Sequence, residues 1–160
     1  NAGINIRKPP EDYSLEEWRA IIDTNLTGIF LCARAVLPAF RAAGGGKIIT
    51  IGSMSSIFGG GIIGPYAASK GGVVGMTLPL ARDLAQWGVR VCTIAPGLFH
   101  TPLMAQLPDE VQKTLAASIP FPKRLGRPEE FAALAAHIVT NVHLNGEVIR
   151  LDGALRMAPR

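Results

Sequence analysis

A chain of 160 residues that is 48% apolar has enough material for one domain with its own core. Its 16 basic and 12 acidic residues leave a net charge of +4, scattered with no long basic run. That permits weak attraction to phosphates and nothing stronger, which argues against a nucleic-acid partner.

Asn1, Ala2 and Gly3 lead into a polar loop over residues 4–13 that contains Pro9 and Pro10. Ser14, Leu15, Glu16 and Glu17 form a capping box that opens a long helix. Leu15, Trp18, Ile21, Ile22, Leu26, Ile29 and Phe30 recur at helical spacing and predict one wide buried face. Asn25 interrupts this stripe; on residue type alone it is a tolerated polar side chain pointing to solvent. Gly44, Gly45 and Gly46 end the helix. Residues 47–53 (KIITIGS) are rich in β-branched side chains and predict a buried parallel strand that delivers Ser53 at its carboxyl end. In open α/β sheets that end is where ligands bind.

Gly59, Gly61 and Gly64 then spell GxGxxG, with Asp83 further on. Residues 54–58 separate them from the strand and Pro65 follows, so this is rejected as a dinucleotide turn. The glycines instead let the loop pass close to substrate, with Ile57, Phe58, Ile62 and Ile63 lining an apolar pocket. A helix is predicted from near Pro65 to about Trp87. Its Gly71, Gly72 and Gly75 allow close approach of another backbone or a cofactor, and Pro79 is expected to kink it. Residues 89–95 (VRVCTIA) are a second strand, turned by Pro96 and Gly97. Pro102, Pro108 and a short helix from Asp109 follow. Met104, Leu107, Val111 and Leu115 either line a pocket or anchor that helix. Lys123, Arg124 and Arg127 form a small basic cluster, read as a solvated loop or as a phosphate contact. Pro128, Glu129 and Glu130 suit the first turn of an Ala-rich helix. Asn145 and Gly146 turn into a last strand at 147–151, and Asp152 and Gly153 lead into a short tail.

Cys32 and Cys92 sit in apolar stretches and read as small hydrophobes of a reducing compartment. His100, His137 and His143 show no metal-ligand spacing, so no metal is expected. Neither a signal peptide nor an apolar run long enough to span a membrane is read.

Ser53, Tyr66 and Lys70 carry the chemistry. Tyr66 and Lys70 are an i,i+4 pair, so on a helix their tips share one face. A phenol has a reference pKa of about 10, and a neighbouring ammonium favours the phenolate. A serine hydroxyl can hold a carbonyl or alcohol oxygen while the tyrosine moves the proton. No side chain carries hydride, so a cofactor must.

Ser53, the run Tyr66-Ala67-Ala68-Ser69-Lys70, the opening Asn1-Ala2-Gly3, Asn25 and Ala95-Pro96-Gly97 together resemble the short-chain dehydrogenase/reductase family, in its compact single-domain branch. A lone YxxxK is weak; these elements in the family's order, over nearly the whole chain, are specific. The resemblance implies an α/β fold, the C-terminal part of a doubly wound parallel-sheet Rossmann fold, with residues 1–160 a single incomplete domain. In that family Asn-Ala-Gly ends a central strand, and the half before it carries the glycine-rich phosphate turn and the ribose-reading residue. The sequence has neither, so it reads as a fragment or as a chain that has lost half its cofactor site. Such a piece exposes a sheet edge and an apolar helix face.

The resemblance further implies Tyr66 as acid/base, Ser53 as stabiliser of the carbonyl oxygen, Lys70 as tuner and ribose ligand, and Asn25 as the distorted-helix residue that holds a relay water. It implies cofactor contacts at Asn1, Ala2, Gly3, Tyr66, Lys70, Pro96, Gly97, Phe99 and Thr101, with NAD the expected cofactor and NADP the alternative. Residues 98–119 become a substrate lid. The expected partners are a small-molecule alcohol or ketone and further copies of the chain, in a homodimer or homotetramer, with no membrane. The expected location is cytoplasmic, or else the mitochondrial matrix. From about Gly71 onward the chain looks similar to the short-chain 3-hydroxyacyl-CoA dehydrogenase or type 10 hydroxysteroid dehydrogenase branch. Its opening residues look more like gluconate-type sugar dehydrogenases. Oxidoreduction of a secondary alcohol leads; a sugar-acid dehydrogenase or a non-catalytic scaffold is the alternative.

Overall fold

Runs of β-branched residues, which suit a pleated and buried backbone, build the sheet. In the computed structural model, which describes residues 2–58 and 60–155, β1 (Gly46–Ile51) pairs in parallel with β2 (Val89–Pro96) from Gly46↔Val89 to Ile51↔Ile94. β3 (Val148–Leu151) pairs in parallel with the other side of β2. The order β1-β2-β3 makes β2 central, and Val89, Val91, Cys92, Thr93, Ile94 and Ala95 are all buried. Alternate side chains serve opposite faces. Val89 and Val91 pack with Ala81 and Leu84, whereas Cys92 and Ile94 pack with Ile138. Helices therefore cover both faces of one sheet. Each fully buried Val or Ile contributes about 1.5–3 kcal/mol, which makes β2 the centre of stability.

The predicted capping box is present: Glu17 N–H donates to Ser14 Oγ at 3.1 Å and Ser14 N–H to the Glu17 carboxylate at 3.0 Å. It opens α1 (Leu15–Ile22), which passes through a π-turn (Asp23–Thr27) into α2 (Gly28–Ala42). Gly44, at φ 73°, supplies the left-handed residue that ends this rod. α3 (Gly64–Leu84) packs on β2 from the face that holds Ala81 and Leu84. Two short helices, α4 (Pro102–Ala105) and α5 (Asp109–Ala117), follow β2, and α6 (Pro128–Thr140) covers the opposite face with Ile138.

Several expectations are corrected. The wide face of the first rod is buried only in part: Ile21 is fully enclosed and Ile22, Leu26 and Ile29 are half-buried, but Leu15, Trp18 and Phe30 are 56%, 41% and 41% exposed. The rod Leu15–Ala42 is also long enough, and over an 18-residue stretch with mean hydropathy 1.5 apolar enough, to cross a membrane by length and composition, contrary to the expectation from the sequence. Its buried Asn25 is tied to the loop before α1 and to α3, as a packed helix of the domain requires. Cys92 is buried as expected, but Cys32 is exposed; both are free thiols.

Across the sheet, Thr50 stands opposite Thr93. Their hydroxyls lie 2.6 Å apart, Thr93 also meets the Thr77 hydroxyl of α3, and Thr77 donates to the Val73 carbonyl at 3.0 Å. All three threonines are buried. A groove of about 570 Å³ runs along the β1 edge, lined among others by Ala2, Ile29, Thr50, Lys70 and Phe131.

Candidate active site

β1 ends at Ile51, and the chain delivers Ser53 just beyond its carboxyl end, 8% exposed. Ser53 Oγ accepts the Ser55 N–H at 3.1 Å, and the Ser53 carbonyl accepts from the Ser56 hydroxyl, so a tight turn over Met54–Ser56 fixes it. The Ser53 hydroxyl proton is left free to point elsewhere. Tyr66 lies half-buried in the first turn of α3, and Lys70 follows one turn later, 6% exposed. Lys70 Nζ is 6.0 Å from the centre of the Tyr66 ring and donates to the Ile51 carbonyl at 2.8 Å. That bond ties α3 to the strand that brings Ser53. Burial pushes the Lys70 ammonium below its ordinary pKa, because the charged form loses hydration there.

Asn25 sits in the middle of the π-turn and is fully buried. It does not point to solvent. Its Oδ1 accepts the Ile4 N–H at 2.8 Å, and its Nδ2 donates to the Ile4 carbonyl at 2.9 Å and to Ser69 Oγ at 3.1 Å. Ser69 in turn donates to the Tyr66 carbonyl at 2.7 Å. Sequence reasoning missed Ser69 and Ile4 as partners, although Ser69 lies inside the YxxxK run. The widened turn explains the placement: one extra residue per turn rotates Asn25 inward toward α3. A Cβ on Gly72 of α3 would lie 2.7 Å from the Leu26 side chain of the same turn, so the two elements pack closely there.

The cofactor candidates divide. Ala2 lines the β1 groove, and a Cβ on Gly3 would come within 3.6 Å of Asn25 Oδ1. Asn1 lies outside the described residues. Pro96 ends β2, and Gly97 is pressed so closely on Asp152 that a Cβ would lie 2.7 Å from it. Phe99 bridges Gly126 in parallel, but the bonds run from Gly126 N–H to the Leu98 carbonyl (2.9 Å) and from His100 N–H to the Gly126 carbonyl (2.8 Å). The N–H and C=O of Phe99 itself therefore face away from Gly126. Thr101 Oγ1 caps α4 by accepting the Met104 N–H at 3.2 Å, which leaves its hydroxyl proton to donate. A donor and acceptor pair beside a free hydroxyl fits a primary carboxamide, so the residues present suit the nicotinamide end of a dinucleotide.

The loop before α3 differs from expectation. Ile57 and Ile62 are 47% and 52% exposed, and only Ile63 is buried. A Cβ on Gly61 or Gly64 would meet nothing within 4 Å, so crowding does not explain those glycines; Gly59 lies outside the described residues. In the 98–119 segment Met104 and Leu115 are half-buried, and Leu107 and Val111 are exposed. A separate cavity of about 460 Å³ lies at the ends of β2 and β3, lined by Leu98, Phe99, Ile119, Arg124 and Leu151, without Ser53, Tyr66 or Lys70. Among the described residues no group of three or more His, Cys, Asp or Glu side chains is placed to hold a metal.

Two of the three cations of the basic cluster are already paired with a carboxylate. Arg124 grips Glu130 through two bonds of 2.6 and 3.0 Å, and Arg127 is 3.6 Å from the same carboxylate. Arg124 first, then the Arg127 N–H, lowers the Glu130 pKa from 4.5 to about 2. A lowered carboxylate stabilises the fold above its unfolded value and loses that contribution as pH falls. Urea midpoints are therefore expected to drop between pH 4.5 and about 2, and less steeply in Glu130→Gln.

A family profile described as short chain dehydrogenase matches residues 1–112. The chain belongs to the short chain dehydrogenase family. Within that family, the 3-hydroxyacyl-CoA dehydrogenase type-2 of Bos taurus is 50% identical over 158 residues, covering 95% of this chain and 60% of the relative. The 3alpha-hydroxysteroid dehydrogenase of Mediterraneibacter gnavus is 38% identical, covering 98% and 63%. Among solved structures, a 3-hydroxyacyl-CoA dehydrogenase type-2 from Mycobacterium avium superimposes with TM-score 0.93 at 38% identity, covering 100% of this chain and 66% of that one. A protein from Agrobacterium tumefaciens described as a candidate gluconate dehydrogenase gives 0.89 at 34% identity, covering 97% and 62%. The chain spans about 60% of the length of the short chain dehydrogenases from Bos taurus, Rattus norvegicus and Homo sapiens that it matches.

Proposed function

We propose that this chain carries the proton-handling half of an oxidoreductase that interconverts a secondary alcohol and a ketone with NAD, or alternatively NADP. The observation that carries the reading is Lys70 one helical turn from Tyr66 and bonded to the carbonyl of Ile51, at the end of the strand that delivers Ser53. Ser53 donates to the substrate oxygen and Tyr66 takes or returns its proton. Lys70, made more acidic by burial, passes the proton on and orients the ribose. Asn25 holds the backbone of the Tyr66 turn through Ser69. Phe99 and Thr101 orient the carboxamide. A nicotinamide cofactor, when bound, accepts or supplies the hydride.

A 3-hydroxyacyl-CoA or a hydroxysteroid is the substrate class most in keeping with the relatives. The exposed apolar ridge of Leu15, Trp18, Phe30, Leu31 and Val36, with Leu78 on α3, supports self-association as a dimer or tetramer. The test is fluorescence titration with NADH and NADPH, followed by absorbance assays with 3-hydroxybutyryl-CoA and a 3α-hydroxysteroid. Saturable binding of one nucleotide with turnover of either alcohol is expected. Absence of binding and of turnover would overturn the reading for this chain.

A further inference from the structure

The helix that carries Tyr66 starts without a capping side chain. Ile63 stands at its N-cap with φ −131° and makes no side-chain hydrogen bond. The N–H groups of the first turn thus lack the acceptor that Ser, Thr or Asp supplies elsewhere. The residue before it, Ile62, is held in the left-handed region at φ 59°, where a β-branched side chain is strained. Packing does not hold it there, since its side chain is 52% exposed.

Two groups from outside the loop hold it instead. Lys8 N–H donates to the Ile62 carbonyl at 3.1 Å. The Tyr13 hydroxyl shares its single proton between the carbonyls of Ile6, at 2.6 Å, and Ile62, at 3.1 Å. Residues 4–13 are in turn anchored at two further points. Asn25 grips Ile4, and the Lys8 ammonium pairs with Glu17 of α1. The loop is a strap, and among the described residues its side-chain clasp on the approach to α3 is the phenol of Tyr13.

Resting on the reading of Tyr66 given above, we infer that Tyr13 is a positioning residue: through Ile62 it holds the uncapped start of α3, and with it the Tyr66 phenol. Tyr13 acts through backbone alone. Without its hydroxyl, the Lys8 N–H is left to hold the Ile62 carbonyl by itself, so Ile62 leaves the strained conformation more often and the first turn is less firmly fixed.

Tyr13→Phe removes the hydroxyl and keeps the ring. Hydrogen exchange on the whole chain is expected to quicken about tenfold at the amides of residues 62–70, the scale of one hydrogen bond, while β2 amides are unchanged. Turnover is expected to fall by a similar factor, with KM little changed. Adding Ile62→Gly, for which the left-handed conformation is unstrained, should return both to the starting values. Exchange needs no substrate, so a chain without any turnover rejects the oxidoreductase reading and leaves the clasp decided by exchange. Unchanged exchange at 62–70, a rise spread equally into β2, or no rescue by Ile62→Gly overturns Tyr13 as a positioning residue.

Discussion

Tyr66→Phe is expected to lower turnover of a secondary alcohol by about 10²–10⁴-fold, the usual contribution of a positioned general acid or base. Stability should barely change, by less than about 0.5 kcal/mol, because the hydroxyl has no hydrogen-bond partner among the described residues. Nucleotide affinity should also hold, since Lys70, Phe99 and Thr101 keep their places. This combination separates a catalytic loss from a folding loss. Steady-state kinetics, a thermal melt and a nucleotide titration on the same preparation make the check. A Phe variant that turns over at the original rate would remove Tyr66 from proton transfer. Lys70→Met is the natural companion, for it leaves the phenol and removes the ammonium bonded to Ile51.

Asn25→Leu is expected to cost about 1–3 kcal/mol in urea unfolding, the penalty for leaving buried hydrogen-bonding groups unmet. The side chain fits by size but meets none of its neighbours' needs. The N–H and carbonyl of Ile4 and the Ser69 hydroxyl each lose a partner. The strap should detach from the π-turn before the sheet unfolds, so exchange should rise first at residues 4–8. Asn25→Asp keeps an acceptor for the Ile4 N–H and loses both donated bonds, and it is expected to fall between the two. A Leu variant as stable as the parent would show that the π-turn does not depend on Asn25.

The strands, though not their order in the sheet, were legible because β-branched runs bounded by glycine leave little choice of backbone, and Ser53, Tyr66 and Lys70 are close enough in sequence for one strand end and one helix turn to fix them. The capping box of Ser14 and Glu17 was legible for the same local reason. The burial of the long rod was not. An apolar stripe shows that Leu15, Trp18 and Phe30 suit contact with something, and cannot show whether these residues meet it within the chain. Asn25 was ambiguous from residue type, because its inward turn depends on a one-residue widening of the helix that no spacing rule reports. Arg124 and Arg127 look free in the sequence because their partner, Glu130, suits the helix start, where it also acts by accepting the Arg127 N–H. Nothing in the sequence announces Tyr13, whose acceptors are backbone carbonyls 7 and 49 residues away.

The three buried threonines leave one direction to their protons. Thr77 spends its proton on the carbonyl of Val73, so it can only receive from Thr93; Thr93, its proton committed to Thr77, can only receive from Thr50. The row is poled from β1 toward α3. Thr50 therefore offers lone pairs alone to any further partner of its hydroxyl. Any backbone or ligand that settles at that point must bring an N–H or O–H, and a carbonyl or carboxylate oxygen placed there would be repelled.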